Sequence, residues 1–192
     1  MNIRKWLLIP LLVLGSVANA SVPGLRGSQH IGFTVPNVDQ AVSFFKDVIG
    51  CEYFYSIGPF GPFEDNWMTE NLNVHKEAVI NVAHLLRCGN GPSLEIFEYS
   101  SPDQNTQQPK NSDIGGHHIA FYVDDMDEAV DYLKSKGVRV LGEPHTFTDT
   151  GMKGLTWVYF LAPWGMQLEI VSYPYGQGYE QNTGRRMWDP RY

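Results

Sequence analysis

Gln29-His30-Ile31-Gly32-Phe33-Thr34-Val35 and His117-His118-Ile119-Ala120-Phe121-Tyr122-Val123 are two versions of one pattern. In the first, Ile31, Phe33 and Val35 alternate with His30, Gly32 and Thr34. That period of two describes a strand with one apolar face and one carrying histidine. The offset that aligns His30 with His118 also aligns Phe33 with Phe121, Ala41 with Ala129, Val42 with Val130 and Lys46 with Lys134. One deletion then brings Gly50 onto Gly137. A second match closes each copy, Leu94-Glu95-Ile96 against Leu168-Glu169-Ile170. The chain is therefore a twofold duplication, not a solenoid, which needs more repeats.

A helix is expected after each opening strand. Asn37 or Asp39 caps the first, whose stripe of Val38, Ala41, Val42, Phe45 and Ile49 ends at Gly50. Asp124 or Asp125 caps the second, with Met126, Ala129, Val130 and Leu133 before Gly137. Three strands complete each copy: 52–57, 78–88 and 93–99, then 138–141, 155–161 and 167–173, the last hairpin turning at Pro163-Trp164-Gly165. The expected fold is α+β. Two tandem βαβββ modules, 28–100 and 116–174, form a cupped mixed sheet around a metal site, with each helix on the Ile31/Phe33/Val35 side. The Gly-, Pro- and aromatic-rich insertion 58–77 lacks a counterpart of its length in the second copy and reads as a lid. Residues 101–115 read as a linker, and 175–192 as a tail that drapes over the domain or frays.

Residues 1–20 read as a secretory signal peptide. Arg4 and Lys5 precede a short apolar run from Trp6 to Leu14, and Ala18-Asn19-Ala20 ends it. The expected location is periplasmic or secreted. The run is too short to span a bilayer, so no membrane association is expected after cleavage. The net charge is −7, and no basic cluster stands out, which excludes nucleic acid as a natural partner. Cys51 and Cys88 are the two cysteines. Their places, before the second strand and at the end of the third, put them side by side in an antiparallel pair, and export favours a disulfide.

His30 and His118 share one position on the two opening strands, and Glu95 and Glu169 share one on the two closing strands. A pseudo-twofold axis would let all four meet, and two imidazoles with two carboxylates suit a divalent first-row ion with open positions for substrate. An inward carboxylate is costly unless it is paired or metal-bound. Phe97 and Tyr99 share the face of Glu95, and Tyr173 shares that of Glu169. With Thr34, Tyr122 and Trp67 they outline an aromatic-lined pocket for a small, partly apolar or aromatic substrate. His84, His75 and His145 are weaker candidates, and His117 points away from His118.

These motifs make the chain resemble the vicinal oxygen chelate superfamily, which includes glyoxalase I, methylmalonyl-CoA epimerase, extradiol dioxygenases and bleomycin-binding proteins. The resemblance covers residues 28–174 and departs at Ala162, where the family often has Asp. It implies one divalent ion (Ni, Co, Zn, Mn or Fe) held by His30, Glu95, His118 and Glu169, with Glu95 and Glu169 also moving protons. The full two-His, two-Glu set resembles the glyoxalase and epimerase branch, in which Lewis-acid chemistry stabilises an enolate-like intermediate. An extradiol ring-cleaving dioxygenase and a non-catalytic binding or resistance protein are the alternatives. The modules pair within one chain or between two copies as a homodimer.

Overall fold

The computed structural model describes residues 22–192; the signal-peptide assignment, on residues 1–20, lies outside the described residues. The first module runs β1 (His30–Thr34), α1 (Val38–Phe44), β2 (Glu52–Ile57), α2 (Trp67–Leu72), β3 (Val79–Arg87) and β4 (Ser93–Ser100). The second runs β5 (Ile119–Tyr122), α3 (Met126–Ser135), β6 (Arg139–Thr146), β7 (Thr156–Leu161) and β8 (Gln167–Ser172). Each builds its own four-stranded mixed sheet, in the order β1-β4-β3-β2 and β5-β8-β7-β6. The opening strand lies parallel to the closing strand of its module, and the other pairings are antiparallel.

Caps decide where the helices start. Asn37 accepts the Gln40 N–H at 2.8 Å and Asp125 accepts that of Glu128 at 3.0 Å, each satisfying an otherwise orphan first-turn donor. After α1 the chain widens into a π-turn, Phe45–Ile49, before Gly50 ends it at φ 87°. Gly50 and Gly137 align only after one deletion, and the wide turn absorbs the first copy's extra residue without breaking the apolar stripe. Phe45 stays fully buried there.

The helix sides of both sheets share one core. Phe44 and Phe45 meet Trp164, from the turn between β7 and β8, at ring-centre distances of 5.8 and 6.0 Å. Val130, Leu133, Val158, Phe160 and Leu168 join the same cluster from the second module. Truncating a ring such as Phe45 to alanine should cost about 3–5 kcal/mol. Cys51 and Cys88 form a disulfide, with Cα atoms 4.2 Å apart, one step beyond the Glu52–Arg87 pair of β2 and β3. Among the described residues no helix is long and apolar enough to cross a membrane.

Two segments differ from the sequence reading, and a third takes one of the two courses it left open. Strand β6 continues past Leu141 to Thr146, because an irregularity around Gly142 takes up the turn-like residues and pairing resumes at His145 with Trp157. His145 is therefore a strand residue, not a loop residue. The insertion 58–77 is not wholly irregular. Phe60 exchanges two backbone hydrogen bonds of 2.9 Å with Ile80, and fully buried Met68 anchors α2. The tail drapes rather than frays. The Arg191 guanidinium clasps Asp189 and the carbonyls of Tyr173 and Pro174, and Asn90 donates to the Tyr192 carbonyl at 2.6 Å.

Candidate functional site

The sheet register places the four sequence-selected donors. Gly32 lies opposite Glu95 and Ala120 opposite Glu169, so each carboxylate rises over a small residue on the face away from the helices. In the first module that space is tight. A side-chain carbon on Gly32 would stand 3.3 Å from the Phe97 ring and 3.7 Å from Glu95 Oε2. The result is two matched pairs: His30 Nε2 lies 3.2 Å from Glu95 Oε2, and His118 Nε2 lies 3.0 Å from Glu169 Oε2. The structure does not bring the two pairs together. Among the described residues no group of three or more metal-ligating side chains forms.

Both histidines are held in the same way. His30 Nδ1 meets the amide oxygen of Gln29, and His118 Nδ1 meets that of Asn111 at 3.0 Å. An amide oxygen accepts only, so Nδ1 donates to it. Nε2 faces a carboxylate oxygen in each module. Two acceptors at such distances need a proton or a cation between them, so the donor chemistry fits a divalent ion, and amide-to-imidazole support is how metal-ligating histidines are oriented. The second pair is the more enclosed. Burial pushes the Glu169 carboxyl above its ordinary range, and His118 opposes the shift.

On the same sheet face as the first pair, though lined by neither His30 nor Glu95, lies a cavity of about 890 Å³ floored by Gly32, Thr34, Phe97 and Tyr99 and walled by α2 and the segments 73–78 and 101–105. Burial, reinforced by the Glu95 charge, raises the Tyr99 phenol, which stays a neutral donor. Trp67 does not line this cavity. It packs with Phe60 and Phe63 on the outer side of α2, at 5.4 and 5.2 Å between ring centres. Tyr122 and Tyr173 do share the face of the second pair, their rings 4.9 Å apart, and the Arg191 guanidinium lies over both. The tail thus occupies that end of the expected pocket.

Sequence reasoning missed Asn111 and Tyr159. Asn111 lies in the linker, where no periodicity marks it. Tyr159 pairs with Glu169 across β7 and β8, its ring 5.1 Å from that of His118. Burial first, then the Glu169 charge, raises its phenol. The parity of β7 against Glu169 was the available signal. Strand β3 also settles His84: it pairs with Ile96, on the helix side of the sheet, away from Glu95.

Two βαβββ units with a His–Glu pair on each open sheet face define a glyoxalase-type fold. The model of the glyoxalase/bleomycin resistance protein/dioxygenase superfamily matches residues 29–156, and the chain belongs to that family. It is similar to a 2-epi-5-epi-valiolone epimerase from an Actinomyces species, 47% identical over 170 residues, covering 88% of this chain and 91% of that protein. The mitochondrial methylmalonyl-CoA epimerase of Dictyostelium discoideum is 26% identical over 118 residues, 62% of this chain and 61% of that protein. Among solved structures, a glyoxalase family protein from Bacillus cereus matches with a TM-score of 0.60 at 18% identity, over 82% of this chain and 98% of that one, a likeness of fold.

Proposed function

We propose that the chain is a metal-dependent epimerase that inverts a carbon beside a carbonyl in a small polyhydroxylated ring ketone of the valiolone kind. The observation that carries this is the pair of duplicated half-sites, each with an imidazole Nε2 within 3.2 Å of a carboxylate oxygen and an amide oxygen at its Nδ1. The extensive similarity to the Actinomyces epimerase supports the reaction class.

Epimerisation takes a proton from one face of a carbon and returns one to the other face. It therefore needs two groups that exchange protons, and Glu95 and Glu169 are the matched carboxylates available. One removes the proton as the carbonyl oxygen gains charge, and the other delivers a proton from the opposite side. No electrons are lost, so no oxidant is required. His30, Glu95, His118 and Glu169 would hold the divalent ion, which as a Lewis acid lowers the cost of the oxygen's developing charge. Gln29 and Asn111 orient the imidazoles, and Phe97 and Tyr99 shield the first half-site from water.

The four donors meet when the second module of another copy covers the open face of the first. Tyr55 and Ile57, which extend the rows of Glu95 and Phe97 across the first sheet, are half-exposed apolar residues suited to such a contact. The test is incubation of metal-loaded protein with 2-epi-5-epi-valiolone in D2O, with light scattering for the assembly. Deuterium at one carbon together with a new epimer, from a dimer, is expected. Substrate that keeps every C–H bond under loading with each first-row divalent ion overturns the reading.

A further inference from the structure

We infer that the cavity between the first sheet, α2 and the segment 101–105 seats the hydroxyl groups of an uncharged polyhydroxylated ring and rejects the phosphorylated form of that ring. The inference deepens the proposed function, and rests on it for the identity of the ring.

Position comes first. The cavity floor shares the sheet face of Glu95, and Gly32 keeps the passage to that carboxylate open. A ring lying on Phe97 and Tyr99 would therefore present one edge to Glu95 and the rest to the cavity. These two aromatic rings, 5.5 Å apart and tilted by 44°, offer an apolar bed for the C–H face of a sugar-like ring. The volume of about 890 Å³ lies within the range that small-molecule sites occupy.

The wall chemistry then selects the ligand. Asn66, Asn73, Lys76 and Gln104 line the cavity as exposed residues, and among the described residues their side chains make no hydrogen bond within the protein. Asn66 stands at the start of α2 without capping it, so its amide is free for another role. The three amides supply neutral donors and acceptors, and Lys76 a charged donor, of the kind vicinal hydroxyls take. Charge is nearly balanced: among the lining residues Lys76 is the one permanent cation, Asp103 the one carboxylate, and His75 the one imidazole, whose Nδ1 already accepts the Glu77 N–H. The Ser101 hydroxyl donates to Asp103 and holds its carboxyl below the ordinary range, which keeps that negative charge in place. Phosphate sites gather several permanent cations or an arginine fork, and this cavity has neither, while Glu95 stands just beyond Gly32 on the same sheet face.

The experiment is calorimetric binding to the full chain stripped of metal by chelation, with 2-epi-5-epi-valiolone and its phosphate ester as probes. Lys76→Met and Asn66→Leu change exposed residues, and unaltered thermal unfolding of both variants verifies their fold. Each is expected to weaken binding of the uncharged ring by about fivefold, as for a lost hydrogen bond. The ester is expected to bind wild-type protein at least about tenfold more weakly than the ring. Unchanged affinity in both variants, no binding of the ring, or an ester that binds as tightly overturns the inference. Binding that depends on these residues without deuterium exchange in the metal-loaded protein sinks the epimerase and leaves the cavity standing. Exchange with unaffected variants does the reverse.

Discussion

Replacing Asn111 with leucine removes one hydrogen bond and should reveal whether the half-sites exist to hold a cation. Asn111 Oδ1 lies 3.0 Å from His118 Nδ1, and leucine keeps the bulk while removing the acceptor. Without it the imidazole is free to rotate and to carry its proton on Nε2, the atom that faces Glu169. Supporting groups of this kind typically contribute 10–100-fold in metal affinity, about 1.4–2.7 kcal/mol. The His118 side chain is 32% exposed, so water replaces part of the lost bond and the lower end of that range applies. A loss of about tenfold is therefore expected in a competition titration against a chelating dye. Gln29→Leu removes the matching support from His30, whose side chain is 47% exposed, and should cost less. Far-ultraviolet circular dichroism should not change, because both residues lie outside the core. Metal affinity within twofold of wild type for Asn111→Leu, measured beside a His118→Ala variant that loses metal, would refute the orienting role.

Three further outcomes are expected. Replacing Cys51 and Cys88 by serine should lower unfolding stability by about 3–4 kcal/mol, since the bridge closes a loop across a separation of 37 residues; denaturant titration with and without reductant measures it, and equal midpoints would remove the bridge from the account. Trp67 should report ligands through its fluorescence, because its indole packs on the outer side of the helix that walls the cavity; a signal indifferent to every ligand that binds would show that this wall does not respond. Export should release a chain beginning at Ser21, which intact mass of the secreted material decides, and a retained Met1 refutes the signal peptide.

Most of the fold was legible because duplication tests each assignment twice. The alternation at Ile31, Phe33 and Val35 and its echo at Ile119, Phe121 and Val123 described both opening strands. The two-residue and three-to-four-residue periods then separated strands from helices. The candidate donors were legible for the same reason: chance rarely places His and Glu at matched positions twice. That the two pairs stand apart was not legible. Period two sets the face of a sheet, but the distance between two sheets depends on how whole modules pack, and no local pattern encodes that. Gly142 and Pro144 hid the second part of β6, because a bulge uses the same residues as a loop end. Asn111 and the α2 wall lie where periodicity is silent. Their roles follow from contacts that long-range folding creates.

The two halves of the molecule agree at the donors and differ in the walls around them. His30 and His118 carry the same kind of amide support, and Glu95 and Glu169 rise over small residues, Gly32 and Ala120. Beside Glu95 the first module has added α2 and a polar cavity; beside Glu169 the second has Tyr159, and the tail's Arg191 covers Tyr122 and Tyr173. An epimerase needs this combination. The proton must be removed and returned by two groups of one kind, which the duplication supplies, while the substrate must bind in one orientation, which full symmetry would spoil. A protein that merely stored metal would have no use for the unequal walls, and a ring-cleaving enzyme would leave one donor position vacant rather than duplicate it. The retained symmetry of the His–Glu pairs and the lost symmetry of their surroundings thus bear on different requirements of one reaction. Exchanging the two, by placing leucine at Asn66 in one variant and at Asn111 in another, should separate them: the first alters ring binding, and the second alters metal affinity.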